Sequence, residues 1–143
     1  MTIIRHVFLL SFSILILLGC NSRNGNKAIE LRLAKLEVGS AFSLDTINTN
    51  TQWDRFYIVG PYQYDALRKK IDIPDYIKDI TLTEGYCVIV FLKGSLMVES
   101  LSVARNIIDF SDSNNNGDFN DDHDVILPNT VFVLKDGRKA VFE

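Results

Sequence analysis

The densest set of chemistry-bearing residues in this 143-residue chain is Asp112-Ser113-Asn114-Asn115-Asn116-Gly117-Asp118. Asp112, Asn114, Asn116 and Asp118 recur at alternate positions with Gly117 for a sharp bend, which matches the first half of a calcium loop. A hard cation gathers oxygen ligands from such a run. The second half departs from the pattern: a bidentate Glu belongs at the twelfth position, and His123 stands there, flanked by Asp121, Asp122 and Asp124. Asn, Asp and Gly are also the commonest turn formers, so a solvated turn is the simpler reading, with Ca2+ as the alternative.

The remaining inventory is thin. The histidines are His6 and His123, and the cysteines are Cys20 and Cys87. Zinc sites draw on several His or Cys ligands. A Ser-His-Asp triad would have to use His123, and no Gly-x-Ser-x-Gly turn presents a serine. No phosphate loop or dinucleotide fingerprint is written in the chain. Cys87 lies within the apolar run Tyr86-Cys87-Val88-Ile89-Val90-Phe91 and reads as a buried, inert thiol. Catalytic residues and a bound cofactor are therefore not expected. A hydrolase with paired carboxylates stays open, because such pairs are spaced in three dimensions and not along a sequence, and it ranks last among the readings.

Cys20 offers different chemistry. It closes Leu17-Leu18-Gly19-Cys20 at the end of an apolar stretch from Val7 to Leu18, broken by Ser11 and Ser13 and preceded by Arg5 and His6. Spanning a bilayer takes about 20 apolar residues, so this stretch has the length of a signal-peptide core. The four residues resemble the lipobox of bacterial lipoproteins. The resemblance implies cleavage before Cys20, a diacylglyceryl thioether on its sulfur, and a further acyl chain such as palmitate on its amine. One acyl chain binds membranes marginally, whereas two or more hold stably. By analogy with enteric lipoproteins, Asn21 beside the lipid favours the periplasmic side of the outer membrane, with the plasma membrane as the alternative.

The elements must serve that address. Residues 1–19 read as signal peptide, 20–27 as a polar tether and 28–143 as one α+β domain. Cleavage removes Arg5 alone among the charged residues, so the net charge moves from -3 to -4. A mildly acidic chain without a basic cluster is a poor nucleic-acid binder, and lipid has to do the anchoring. Ala28 to Val38 mixes helical and alternating spacing and ends at Gly39, while Ser43 or Asp45 could cap a helix within 43–52. Trp53 to Val59 predicts a strand with Trp53, Arg55, Tyr57 and Val59 on one face, stopped by Gly60-Pro61. Short helices are expected at Tyr64 to Ile71 and near Asp75 to Ile80. Tyr86 to Leu92 and Ser95 to Val103 flank Lys93-Gly94 as one hairpin; Thr130 to Leu134 and Arg138 to Phe142 flank Lys135-Asp136-Gly137 as another. Asp109 to Asp124 reads as a polar loop. The sum predicts an antiparallel sheet of about four to five strands with one to three short helices packed on one face.

Trp53-Asp54-Arg55-Phe56-Tyr57-Ile58-Val59-Gly60-Pro61-Tyr62 resembles a recurring segment of small bacterial lipoproteins: a Trp-Asp pair, an apolar strand, then Pro-Tyr ahead of a short helix and a hairpin. Either Arg105-Asn106 with Asp109-Phe110, or Gly117-Asp118-Phe119, corresponds to their Arg and Asp-Phe elements. The resemblance implies no defined activity. Trp53, Tyr57, Tyr62 and Tyr64 would form an aromatic contact surface in a functional account. In the structural account Trp53 and Tyr57 pack a core and Asp54 caps or pairs, which the usual inward facing of aromatic stripes favours. The expectation is a lipid-anchored, non-enzymatic accessory or binding protein of the cell envelope with a protein or envelope-component partner. A calcium-dependent module on loop 112–124 is the alternative.

Overall fold

The run Cys87-Val88-Ile89-Val90-Phe91-Leu92 has no polar face to offer water, so a strand built from it has to be covered on both sides. The computed structural model, which describes residues 22–47, 52–110 and 125–143, covers it in that way. In chain order the elements are helix α1 (Ser22–Ala34), strand β1 (Ala41–Phe42), helix α2 (Leu44–Ile47), strand β2 (Arg55–Val59), helices α3 (Tyr64–Arg68) and α4 (Asp75–Thr81), and strands β3 (Tyr86–Lys93), β4 (Leu96–Ala104), β5 (Phe132–Lys135) and β6 (Lys139–Phe142). A 3-10 turn, Asp136–Arg138, joins the last two strands.

The fold is α+β with antiparallel strands, as the sequence predicts. The strands divide, however, into two three-stranded sheets, β1-β5-β6 and β2-β3-β4, where one sheet of four to five strands was expected. Helices also lie on both sides of β2-β3-β4 rather than on one. On one face, Tyr57, Val59, Val88, Val90 and Leu92 meet Tyr64, Leu67, Ile73 and Ile77 of the α3–α4 layer. On the other, Phe56, Ile58, Ile89, Phe91, Leu101 and Val103 meet Ile29 and Leu33 of α1 and Phe42, Phe132, Leu134 and Ala140 of the second sheet. The reason lies in β2 and β3, whose residues are apolar at odd and even positions alike. Successive side chains point to opposite faces, and a single layer of short helices would leave one of those faces wet.

Residues 28–38 resolve into helix up to Ala34 because Ile29 and Leu33 are four apart and bury together. The same helix starts at Ser22, inside the stretch 20–27 expected as tether. Gly39, at φ +88°, turns the chain into β1 and donates its amide to Leu134 O at 2.7 Å. Ser43 stands directly before α2, and Thr46 Oγ1 donates back to Ser43 O at 2.8 Å.

Both predicted hairpins form. Lys93 pairs with Leu96 across a two-residue loop whose Gly94 has φ +63°, the left-handed conformation that hairpin turns of this length require. A bulge sets Val98 between the Phe91–Glu99 and Leu92–Met97 pairs. Lys135 pairs with Lys139 around the second turn, where Gly137 and Arg138 both take positive φ. Asp109 and Phe110 are not part of the polar loop expected from Asp109, the rest of which lies outside the described residues: Ile108 and Phe110 are fully buried, and the Asp109 backbone bridges to the β6 end through Arg138 O at 2.9 Å and the Ala140 amide at 2.8 Å.

Candidate functional site

Where β2 ends, Gly60-Pro61-Tyr62-Gln63 must redirect the chain into α3. The Gln63 side-chain oxygen accepts the Gly60 amide at 2.7 Å, and Tyr62, at φ +65°, donates its amide to Thr81 O at 2.8 Å. Left-handed backbone at a bulky residue is strained. Here the turn is pinned at both ends, and the Tyr62 ring is left 66% exposed.

Of the four aromatics singled out by sequence, Tyr62 alone is an exposed side chain. Tyr57 and Tyr64 are buried in the helix layer and do not belong to a contact surface. Trp53 is half-buried, edge-on to Phe56 at 5.6 Å and tilted over Phe91 at 4.9 Å. It precedes β2 and packs on the face opposite Tyr57, so the two do not share a face as expected. The structural account of this segment is the one the burial supports. Asp54 pairs, as that account has it: its Oδ1 accepts Arg55 Nε at 2.7 Å and its Oδ2 accepts the Gly94 amide at 2.8 Å, tying β2 to the hairpin turn. Arg55 first and the Gly94 amide second hold its carboxyl below the usual range.

Tyr64 anchors a small polar cluster instead. Its hydroxyl donates to Asp75 Oδ1 at 2.7 Å and accepts from Arg68, which also pairs with Asp75. Burial, then the hydrogen bond to Asp75, raises the Tyr64 pKa; the Tyr64 hydroxyl, then Arg68, lowers that of Asp75.

A cleft of about 80 Å³ opens beside the Gly60–Gln63 turn, with Arg105, Asp109 and Cys87 in its wall. Arg105 and Asp109 are two-pronged partners, Nε to Oδ1 at 3.0 Å and Nη2 to Oδ2 at 2.8 Å, and Nη1 donates to Glu84 O at 3.0 Å. The guanidinium is thus committed on each nitrogen. Cys87 is a free, buried thiol whose pKa burial pushes up to about 12, and it leans on Val103 O at 3.7 Å. At neutral pH it stays protonated and supplies no nucleophile. The arrangement latches β4 to the chain that follows it and leaves a small, mainly apolar notch.

Sequence reasoning joined Arg105 and Asp109 only as elements of the resemblance; their i, i+4 spacing was the available signal for an ion pair. The lipid-bearing candidate Cys20, the calcium candidates Asp112, Asn114, Asn116 and Asp118, and the alternative Gly117-Asp118-Phe119 lie outside the described residues. Among the described residues, no group of three or more His, Cys, Asp or Glu is placed to hold a metal ion, and no helix is long and apolar enough to cross a membrane. Comparison with known protein families, with curated proteins and with solved structures finds no match.

Proposed function

We propose that this chain is a bacterial lipoprotein whose folded domain is held at the envelope by acyl chains on Cys20 and acts as a non-enzymatic accessory or binding protein. The observation that carries this reading is Leu17-Leu18-Gly19-Cys20 at the end of the apolar run from Val7. Two features support it. Among the described residues, the two core clusters are built from residues 29 to 140, all of which remain after cleavage before Cys20. The charged and thiol groups of the cleft are satisfied by one another or protonated, which suits a latch better than a reaction centre. The partner is a protein or another envelope component; nucleic acid is disfavoured by the acidic balance.

Mass spectrometry of the mature amino terminus tests the anchor. The expected result is a terminal Cys20 carrying the mass of a diacylglyceryl group plus an acyl chain, with label from palmitate lost in Cys20→Ala. An unmodified Cys20 thiol, or a terminus elsewhere, overturns it. Outer-membrane fractions separated on a density gradient are expected to hold the protein, and cross-linking there is expected to recover one repeated partner. The calcium module is the second reading, favoured by the alternation of Asp112, Asn114, Asn116 and Asp118. Calorimetry with millimolar calcium decides it: absence of heat and of any melting shift removes it, and heat lost in Asp112→Ala sustains it.

A further inference from the structure

Among the described residues, most sheet edges are short or already paired. β1 has two residues, β6 has the Asp109 backbone bridged to Lys139, and β2 exchanges both main-chain bonds of Phe56 with Ile126 at 2.9 Å. β4, nine residues long, is the edge that remains. It lacks the usual protections of an edge: Leu96 to Ala104 holds no Lys, Arg or Pro, and its one charge is Glu99. The bulge at Val98 breaks the register near the turn, but from Glu99 to Ala104 the register runs on unbroken.

The ladder with β3 fixes which way the β4 backbone points. Arg105 donates its amide to Gly85 O at 2.9 Å, directly beyond the Tyr86–Ala104 pair, so that position is a bonded one. Bonded and non-bonded pairs alternate along an antiparallel ladder. Cys87–Val103, Ile89–Leu101 and Phe91–Glu99 are then bonded, and Val88–Ser102 and Val90–Ser100 are not. Ser100 and Ser102 therefore turn both amide and carbonyl away from β3. Ala104 follows the same alternation: its carbonyl accepts the Ile107 amide at 2.9 Å and the Ile108 amide at 3.2 Å. Among the described residues, no backbone bond reaches Ser100 or Ser102 from another element, and both are partly exposed. Leu101 and Val103 are buried on the face that α1 covers, and the Ser100 hydroxyl lies 2.8 Å from that of Tyr76. The strand is thus held firmly while its edge stays open.

We infer that β4 pairs antiparallel with β4 of a second copy about a two-fold axis, extending β2-β3-β4 into one sheet across both chains. The outward groups of Ser100 and Ser102 demand an extended backbone that offers the same groups in return, and β4 is itself such a segment. A register centred on Leu101 sets Ser100 opposite Ser102 of the second copy and Ser102 opposite its Ser100, so every outward main-chain group of both residues is bonded. Centring on Ser100 would bring the bulged Val98 against Ser102, and centring on Ser102 would set Ser100 against Ala104, whose carbonyl is already taken. The Leu101 register also places each Glu99 opposite a Val103, which keeps the two carboxylates apart. This pairing does not depend on the lipid anchor.

Sedimentation equilibrium of the full chain in a density-matched detergent tests the pairing, because the micelle then adds no buoyant mass. The expected result is the mass of two chains; a one-chain mass overturns the proposal, as it does if a photo-cross-linker at position 100 captures a different protein in cells. Ser102→Pro removes an amide that β3 does not use. It is expected to sediment as one chain with an unchanged far-UV circular dichroism spectrum, and a folded variant that keeps the two-chain mass overturns the edge contact. Should that variant fold poorly, paired charges read the same register. Ser100→Lys with Ser102→Lys, and Ser100→Glu with Ser102→Glu, each set like charges opposite one another. Each double variant is expected to sediment as one chain alone, and the mixture as two. Variants that pair separately, or a mixture that stays single, overturn it.

Discussion

Cys87 shows how much one apolar setting changes a reactive group. Burial lifts its pKa from the ordinary 9.0 to about 12. A folded-state value above the unfolded one means that folding favours the protonated thiol. The stability tied to it is full below about pH 9 and is withdrawn as the pH climbs toward 12, by about 4 kcal/mol. Tyr64 acts in the same direction, since burial and its bond to Asp75 raise it too. Melting temperature is therefore expected to fall over pH 9 to 12, less steeply in Cys87→Ala. A thiol reagent is expected to leave the native protein unlabelled and to react in urea; rapid labelling of the native state would contradict this burial. The inert thiol was legible from its apolar neighbours, whereas the Tyr64–Arg68–Asp75 cluster was not, because Asp75 comes from the next helix.

Between elements, Arg138 has the largest reach. It is set at φ +62° in the β5–β6 turn, and its fork donates to Leu33 O, Leu36 O and Ile107 O. One side chain thereby caps carbonyls at and just beyond the end of α1, where Leu33 O also accepts the Leu36 amide at 3.2 Å, and ties three separate segments together. Arg138→Ala is expected to cost about 2–4 kcal/mol, as several hydrogen bonds from a charged donor are lost. Arg138→Lys is expected to recover only part, because an ammonium lacks the planar fork. Urea unfolding of the two variants measures both. Leu33→Ala, in the fully buried seam under α1, is expected to cost about 2–5 kcal/mol by the same measurement. The hairpins were readable from Lys93-Gly94 and Lys135-Asp136-Gly137 because turn chemistry is local. The Arg138 contacts were not, since they reach across more than 100 residues of sequence.

At the scale of the molecule, an aromatic cluster joins the two sheets. Phe132 stacks on Phe42 at 5.5 Å, meets Phe110 edge-on at 5.5 Å, and lies 6.3 Å from Phe56 of the other sheet. Phe132→Ala is expected to cost about 3–5 kcal/mol and to lower the melting temperature by more than ten degrees, read by calorimetry. Such a loss would show that the second sheet is part of the same cooperative core. A small effect would mean that the sheets open independently.

By itself the sequence determined what is written in neighbours: the apolar run ending in Gly19-Cys20 that carries the anchor reading, the α+β class, the hairpin turns and the inertness of Cys87. Each depends on residues a few positions apart, where periodicity, turn conformation and local polarity act directly. Tertiary structure decided the division into two sheets, the covering of β2-β3-β4 from both sides, the burial of Tyr64, and the Arg105–Asp109 and Arg138 latches. A sequence read along its length shows that a strand is apolar on both faces. Only packing in three dimensions settles which distant segments supply the two covers.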